Sequence, residues 1–131
     1  MSELQYGARI HFFPELEVME VDFSDVTFDN SAMVDEFYDE IHRRIEETGK
    51  NWFFLINYRN CRIFELAWIR FAQRGKRINL AHSRGSVRYA VQESLGQTIE
   101  ASAKAENFDP NLFDSREEAL AEIGRMRTAA K

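Results

Sequence analysis

The sequence predicts an α/β fold: a mixed sheet that opens with an antiparallel hairpin and continues as mostly parallel βαβ units, with about four helices. Three observations carry this. Trp52-Phe53-Phe54-Leu55-Ile56 is apolar on both faces, as in a central strand covered on both sides rather than one half exposed to water. Two short strand-like runs flank the turn residues Pro14-Glu15, which predicts the hairpin. After them, helical periodicities alternate with apolar strands, which implies right-handed crossovers and a parallel sheet with one antiparallel edge.

Taken in order, Arg9–Phe13 and Leu16–Phe23 are the hairpin strands. In the second, Met19, Val21 and Phe23 alternate with Glu20 and Asp22, which predicts one buried and one solvated face. Asp29-Asn30-Ser31 supplies capping residues for a helix whose apolar stripe is Val34, Phe37, Tyr38, Ile41 and Ile45, with Gly49 as its stop. Strand Trp52–Asn57 follows, then the polar turn to Arg62, a helix over Ile63–Arg74, a strand over Lys76–Ala81 and the loop His82–Ser86. Ser86–Ala105 is expected as a helix, interrupted in propensity by Gly96. The segment 107–111 is a turn-rich connector, and Leu112-Phe113 a short edge strand. Ser115-Arg116-Glu117-Glu118 is a capping box that opens a last helix with Ala119, Leu120, Ile123 and Met126 along its buried side. With no repeats, linkers or low-complexity tracts, the 131 residues are expected to form one domain.

Composition narrows the function classes. The chain is 44% hydrophobic and 30% charged, with no apolar run near the roughly 20 residues that span a bilayer. Met1–Gln5 lacks the basic start and apolar block of a signal peptide. A single cysteine, Cys61, excludes an internal disulfide framework and fits a reducing compartment, so the expected location is cytoplasmic. The net charge of −5 hides an uneven distribution: −9 over residues 1–58, +7 over 59–88 and −3 over 89–131. The basic block is open to two readings. Either it pairs with the acidic segments inside the fold, or it creates a positive field for an anionic ligand or an acidic partner. Nucleic acid is not expected, because the whole chain is acidic and carries no recognised nucleic-acid motif.

In such sheets ligands bind beyond the carboxyl ends of the parallel strands. The expected strand ends place two loops there. One offers Asn57, Arg59 and Arg62; the other offers His82, Ser83, Arg84, Gly85 and Ser86, with Arg88 just inside the next helix. The second loop would open that helix, where free N–H groups and the dipole favour an anion. Ordinary capping is the competing account of the same residues. An enzyme using Cys61 with His82 as base is the alternative reading. Its spacing gives little support, since a phosphatase-type loop needs Arg six residues after Cys and that position is Ala67. No metal site or cofactor is expected, because His11, His42 and His82 show no paired ligand spacing.

The helix from Ile63 has more apolar surface than one core needs. Phe64, Ala67, Trp68, Phe71 and Ala72 form a full stripe, while Leu66 and Ile69 point nearly opposite. Either another element covers them, or they are an association or lipid-contact surface; a homodimer through this helix is the expectation.

The order of elements, together with Trp52–Asn57, Ile63–Arg74, Lys76–Ala81 and the ending Leu112-Phe113-Asp114-Ser115-Arg116-Glu117-Glu118-Ala119-Leu120, resembles the SpoIIAA-like branch of the STAS domains. The resemblance covers roughly residues 8–126. It implies a non-enzymatic regulatory or interaction module binding a protein partner or a small anionic or lipid-like ligand: STAS relatives bind nucleotides, and the wider fold resembles lipid-carrying CRAL-TRIO domains. STAS anti-sigma-factor antagonists carry Asp-Ser-Ser-Gly before their second helix. The matching positions here are Glu65-Leu66-Ala67-Trp68, so Ala67 stands where the phosphorylated serine would be and the serine switch is not expected to carry over.

Overall fold

The computed structural model describes residues 5–106 and 109–129. A short 3-10 turn (Tyr6–Arg9) leads into β1 (Ile10–Phe13) and β2 (Val18–Asp22), followed by β3 (Thr27–Phe28), α1 (Ser31–Thr48), β4 (Trp52–Asn57) and β5 (Arg62–Ile63). The chain continues through α2 (Glu65–His82), β6 (Ser83–Tyr89), α3 (Glu93–Glu106), β7 (Leu112–Phe113) and α4 (Arg116–Ala129). The main sheet has the order β1-β2-β4-β6-β7. Only its first pair is antiparallel, with Ile10 opposite Val21; β2–β4, β4–β6 and β6–β7 are parallel. The fold is therefore α/β, with a mixed sheet, an N-terminal hairpin and four helices, as expected. Residues 107 and 108 of the expected connector lie outside the described residues.

The central strand behaves as its composition predicts. Trp52, Phe54 and Ile56 enter a core shared with α1, α2 and α3, while Phe53 and Leu55 enter a second core under α4. Each fully buried side chain of this size contributes about 1.5–3 kcal/mol relative to exposure. The caps also form locally. Asn30 Oδ1 accepts the Met33 N–H at 2.8 Å, and Gly49 closes α1 with a left-handed φ of 68°. At α4, Ser115 Oγ accepts the Glu118 N–H at 3.2 Å and donates to the Glu118 carboxylate.

Three expectations are corrected. Lys76–Ala81 is not a strand: it forms the later turns of α2, which runs on through Gly75 to His82. Gly75 marks a close approach rather than a stop, since a Cβ there would sit 3.3 Å from the Tyr38 hydroxyl of α1, and Ile78 continues the buried stripe of Ala67 and Phe71. Second, residues 83–89 are neither loop nor helix but strand β6, and α3 starts only at Glu93. Third, Glu20 is not solvated. Helix α4 covers that face, and the buried Glu20 carboxylate accepts the Tyr89 hydroxyl at 2.6 Å and Arg116 Nε and Nη2 at 3.0 and 2.9 Å.

Candidate functional site

Strands β4 and β6 end together, with Asn57 in register with Tyr89. Beyond that edge the chain builds a polar shelf. Asn57 Oδ1 accepts the Arg59 N–H at 2.9 Å, a local turn that Asn60 continues with a left-handed φ of 52°. Asn60 then ties three segments together, donating to Asp25 Oδ1 at 2.9 Å and accepting from Gln92 Nε2 at 3.3 Å. The two-residue ladder of β3 and β5 anchors the entry to α2: Arg62 N–H donates to Val26 O and Phe64 N–H to Phe28 O, each at 2.9 Å. On the other side, Ala90 takes a left-handed φ of 60° and turns the chain from β6 into α3.

Between the first turns of α2 and α3 lies a groove of about 610 Å³, lined by Cys61, Arg62, Ile63, Phe64, Glu65, Trp68, Gln92, Ser94, Leu95 and Thr98. Its wall is mixed. Phe64, half exposed, joins Trp68 and Leu95 as an apolar strip, while Gln92, Ser94 and Thr98 are polar and Arg62 and Glu65 carry opposite charges. Arg62 is exposed, and its side chain has no ion pair or hydrogen bond among the described residues. The N-cap residue of α2 is Phe64, which provides no side-chain cap; the Ala67 N–H donates to Phe64 O at 2.9 Å, and Glu65 is the acidic residue of the first turn.

The electrostatics at the floor are those of a closed core. Burial pushes the Cys61 thiol up to about 12, against a smaller lowering by Arg9, so it is protonated at neutral pH. Burial also pushes Tyr58 up to about 12, opposed by Arg88. A buried, protonated thiol packs as a small apolar group. His82 is at the other end of the sheet, separated by the length of β4 and β6, about 17 Å at ~3.3 Å per residue.

The two loops expected to share one edge therefore lie at opposite ends. Asn57, Arg59 and Arg62 are at the carboxyl end, with Arg59 held 3.5 Å from Asp25. His82, Ser83 and Arg84 are at the amino end, because β6 begins where a strand was expected to finish. There, Ser83 Oγ accepts the Gly85 N–H at 3.0 Å. Arg84 pairs with Glu17 at 2.7 Å and stacks over the Phe53 ring, beside a smaller hollow of about 250 Å³. Register slips by one residue between Trp52 and Phe53, so Arg84 bulges and Gly85 takes a φ of 154°. A Cβ at Gly85 would lie 2.8 Å from Met126 Sδ and 3.2 Å from Phe53, so this glycine admits α4 rather than a ligand. Ser86 donates to Asn79 Oδ1, and Arg88 Nη1 donates to Pro110 O at 2.8 Å.

Most of the basic block is paired within the fold. Arg70 and Arg74 hold Asp35 at 3.1 and 2.9 Å, Arg74 also holds Asp39, and Lys76 reaches Glu106. The Arg74 hydrogen bond is the main cause lowering the Asp35 pKa. The groove residues of α3 escaped the sequence reading because a helix from Ser86 placed them on a helix side rather than at a strand end. A second grouping was also missed: His42 and Glu46 are one turn apart on α1, and α2 carries His82 to them. The pairing signal was present as His-x-x-x-Glu. Leu66 and Ile69 stand 85% and 68% exposed, uncovered by other described residues, whereas Ala67 is fully buried. No helix among the described residues is long and apolar enough to cross a membrane. No protein-family model matches the chain, and no curated protein matches it.

Proposed function

We propose that the chain is a non-enzymatic binding module of the SpoIIAA/STAS type, whose groove takes a small amphipathic anion. The observation that carries this reading is the groove itself: an unpaired Arg62 at the rim, an apolar strip of Phe64, Trp68 and Leu95, and an uncapped α2 N-terminus, all beyond the carboxyl ends of β4 and β6. Arg62 and the helix end suit an anionic head, and the strip suits an apolar tail. Buried Ala67 cannot accept a phosphoryl group, so ligand occupancy would replace the serine switch of the STAS antagonists. Leu66, Ile69 and Leu80, exposed along one side of α2, give the module a surface for association, with a second copy of this chain as the partner.

Calorimetric titration with dodecyl phosphate, dodecanol and inorganic phosphate tests the groove. Dodecyl phosphate is expected to bind at least tenfold tighter than either probe lacking its tail or its charge. Arg62→Ala is expected to weaken it about tenfold, the worth of a charge-assisted hydrogen bond, and Trp68→Ala comparably. Equal binding by both variants and the parent chain would overturn the reading.

A further inference from the structure

At the amino end of the parallel strands, away from the groove, α1 and α2 finish side by side. His42 and Glu46 face the same way, one turn apart on α1, and His82 is the last residue of α2. His42 Nε2 lies 3.0 Å from Glu46 Oε1, and His82 Nε2 lies 3.6 Å from the same oxygen. The two imidazoles sit 5.3 Å apart at 73°. One donor atom from each of the three side chains falls within 4.8 Å of the others.

We propose that His42, Glu46 and His82 form a binding site for a divalent first-row transition metal, with zinc as the best match. The donor set is two imidazole nitrogens and one carboxylate oxygen, a set zinc takes at bonds of about 2.0–2.2 Å. Tetrahedral bonds of that length put ligand atoms ~3.3 Å apart, which the two distances to Glu46 bracket. The exposed His42 side chain has room to complete the approach. Two further features favour a cation here. Asn51 Oδ1 lies 3.3 Å from His82 Nδ1, so the tautomer with its proton on Nδ1 donates to Asn51 and leaves Nε2, on the Glu46 side, as the ligating nitrogen. This is the outer-shell hydrogen bond that orients metal-binding histidines. The site also lies at the C-terminal ends of two helices, where the partial charge of the backbone is negative. His42 and Glu46 are more than half exposed, so the fourth position opens to solvent and takes water.

Calorimetric titration of the untagged chain with Zn²⁺ decides this, with circular dichroism confirming that each variant is folded. One Zn²⁺ per chain with micromolar affinity is expected, together with the visible d–d absorption of a low-coordinate site when Co²⁺ is used. Glu46→Gln, His42→Ala and His82→Ala should each weaken binding at least tenfold. Asn51→Leu should weaken it about tenfold through orientation alone, and His11→Ala should change nothing. Absence of stoichiometric binding, or binding that Glu46→Gln and His82→Ala leave unchanged, would reduce the triad to an ion-paired cluster and overturn the proposal.

Discussion

Cys61 sits at the floor of the groove, yet its sulfur belongs to the core, and its protonation is written into stability. The native thiol holds its proton up to about 12 where the ordinary value is 9.0. The native state therefore retains a proton that the unfolded chain has already released. The stabilising contribution is fully present below pH 9 and is lost as pH rises from 9 toward 12, at about 1.4 kcal/mol per unit. Tyr58 acts in the same sense from 10 to about 12. Urea unfolding at pH 8 and pH 10 should show parent-chain stability falling by about 1 kcal/mol more than that of Cys61→Ala; identical falls would contradict this burial. At Gly85, both the φ of 154° and the 2.8 Å approach to Met126 oppose any side chain. Gly85→Ala should destabilise by about 2 kcal/mol in urea unfolding. Arg116→Ala would leave the buried Glu20 with only the Tyr89 hydroxyl, for a loss of about 2 kcal/mol by the same assay. Single-residue logic was legible where it was local. The Asn30 cap and Gly49 stop rest on side-chain and backbone chemistry two or three residues away. Glu20 was not legible, because its partners Tyr89 and Arg116 arrive from distant parts of the chain.

Helix α2 is the element where sequence pattern and structure differ most. Its first turns were legible from the Phe64, Ala67, Trp68 and Phe71 spacing. Its later turns were not, since Gly75 looks like a terminator and Ile78-Asn79-Leu80 alternates like a strand. Packing decides instead: Gly75 lets α2 close on Tyr38, and that contact outweighs the ~1 kcal/mol propensity cost of glycine. Strand β6 was hidden for the opposite reason. Only Val87 and Tyr89 of its residues are buried, and its polar side chains find partners that the local pattern does not show, as Arg84 does in Glu17 and Arg88 in Pro110 O. The longer helix extends the exposed apolar row from Leu66 and Ile69 to Leu80. If that row is the self-association surface, Ile69→Glu should shift the mass measured by light scattering at micromolar concentration from dimer to monomer, with Tm little changed. A monomeric parent chain would remove the association.

At the scale of the whole molecule, one sheet carries different chemistry at its two ends. The carboxyl end holds the groove with unpaired Arg62, and the amino end holds His42, Glu46 and His82. The α/β class, the hairpin and the doubly covered central strand were legible, because they rest on hydrophobic periodicity. The separation of the two ends was not, because misplacing β6 by several residues moved His82–Ser86 from one edge of the sheet to the other. The same error merged residues that pair internally, such as Arg84 with Glu17, with residues facing open space, such as Arg62. Occupancy of the groove is tested most directly by amide chemical-shift mapping during titration with dodecyl phosphate. The predicted result is saturable shifts concentrated in residues 61–68 and 92–98, sparing His82–Arg84. Shifts centred on the amino end, or none at millimolar ligand, would contradict it.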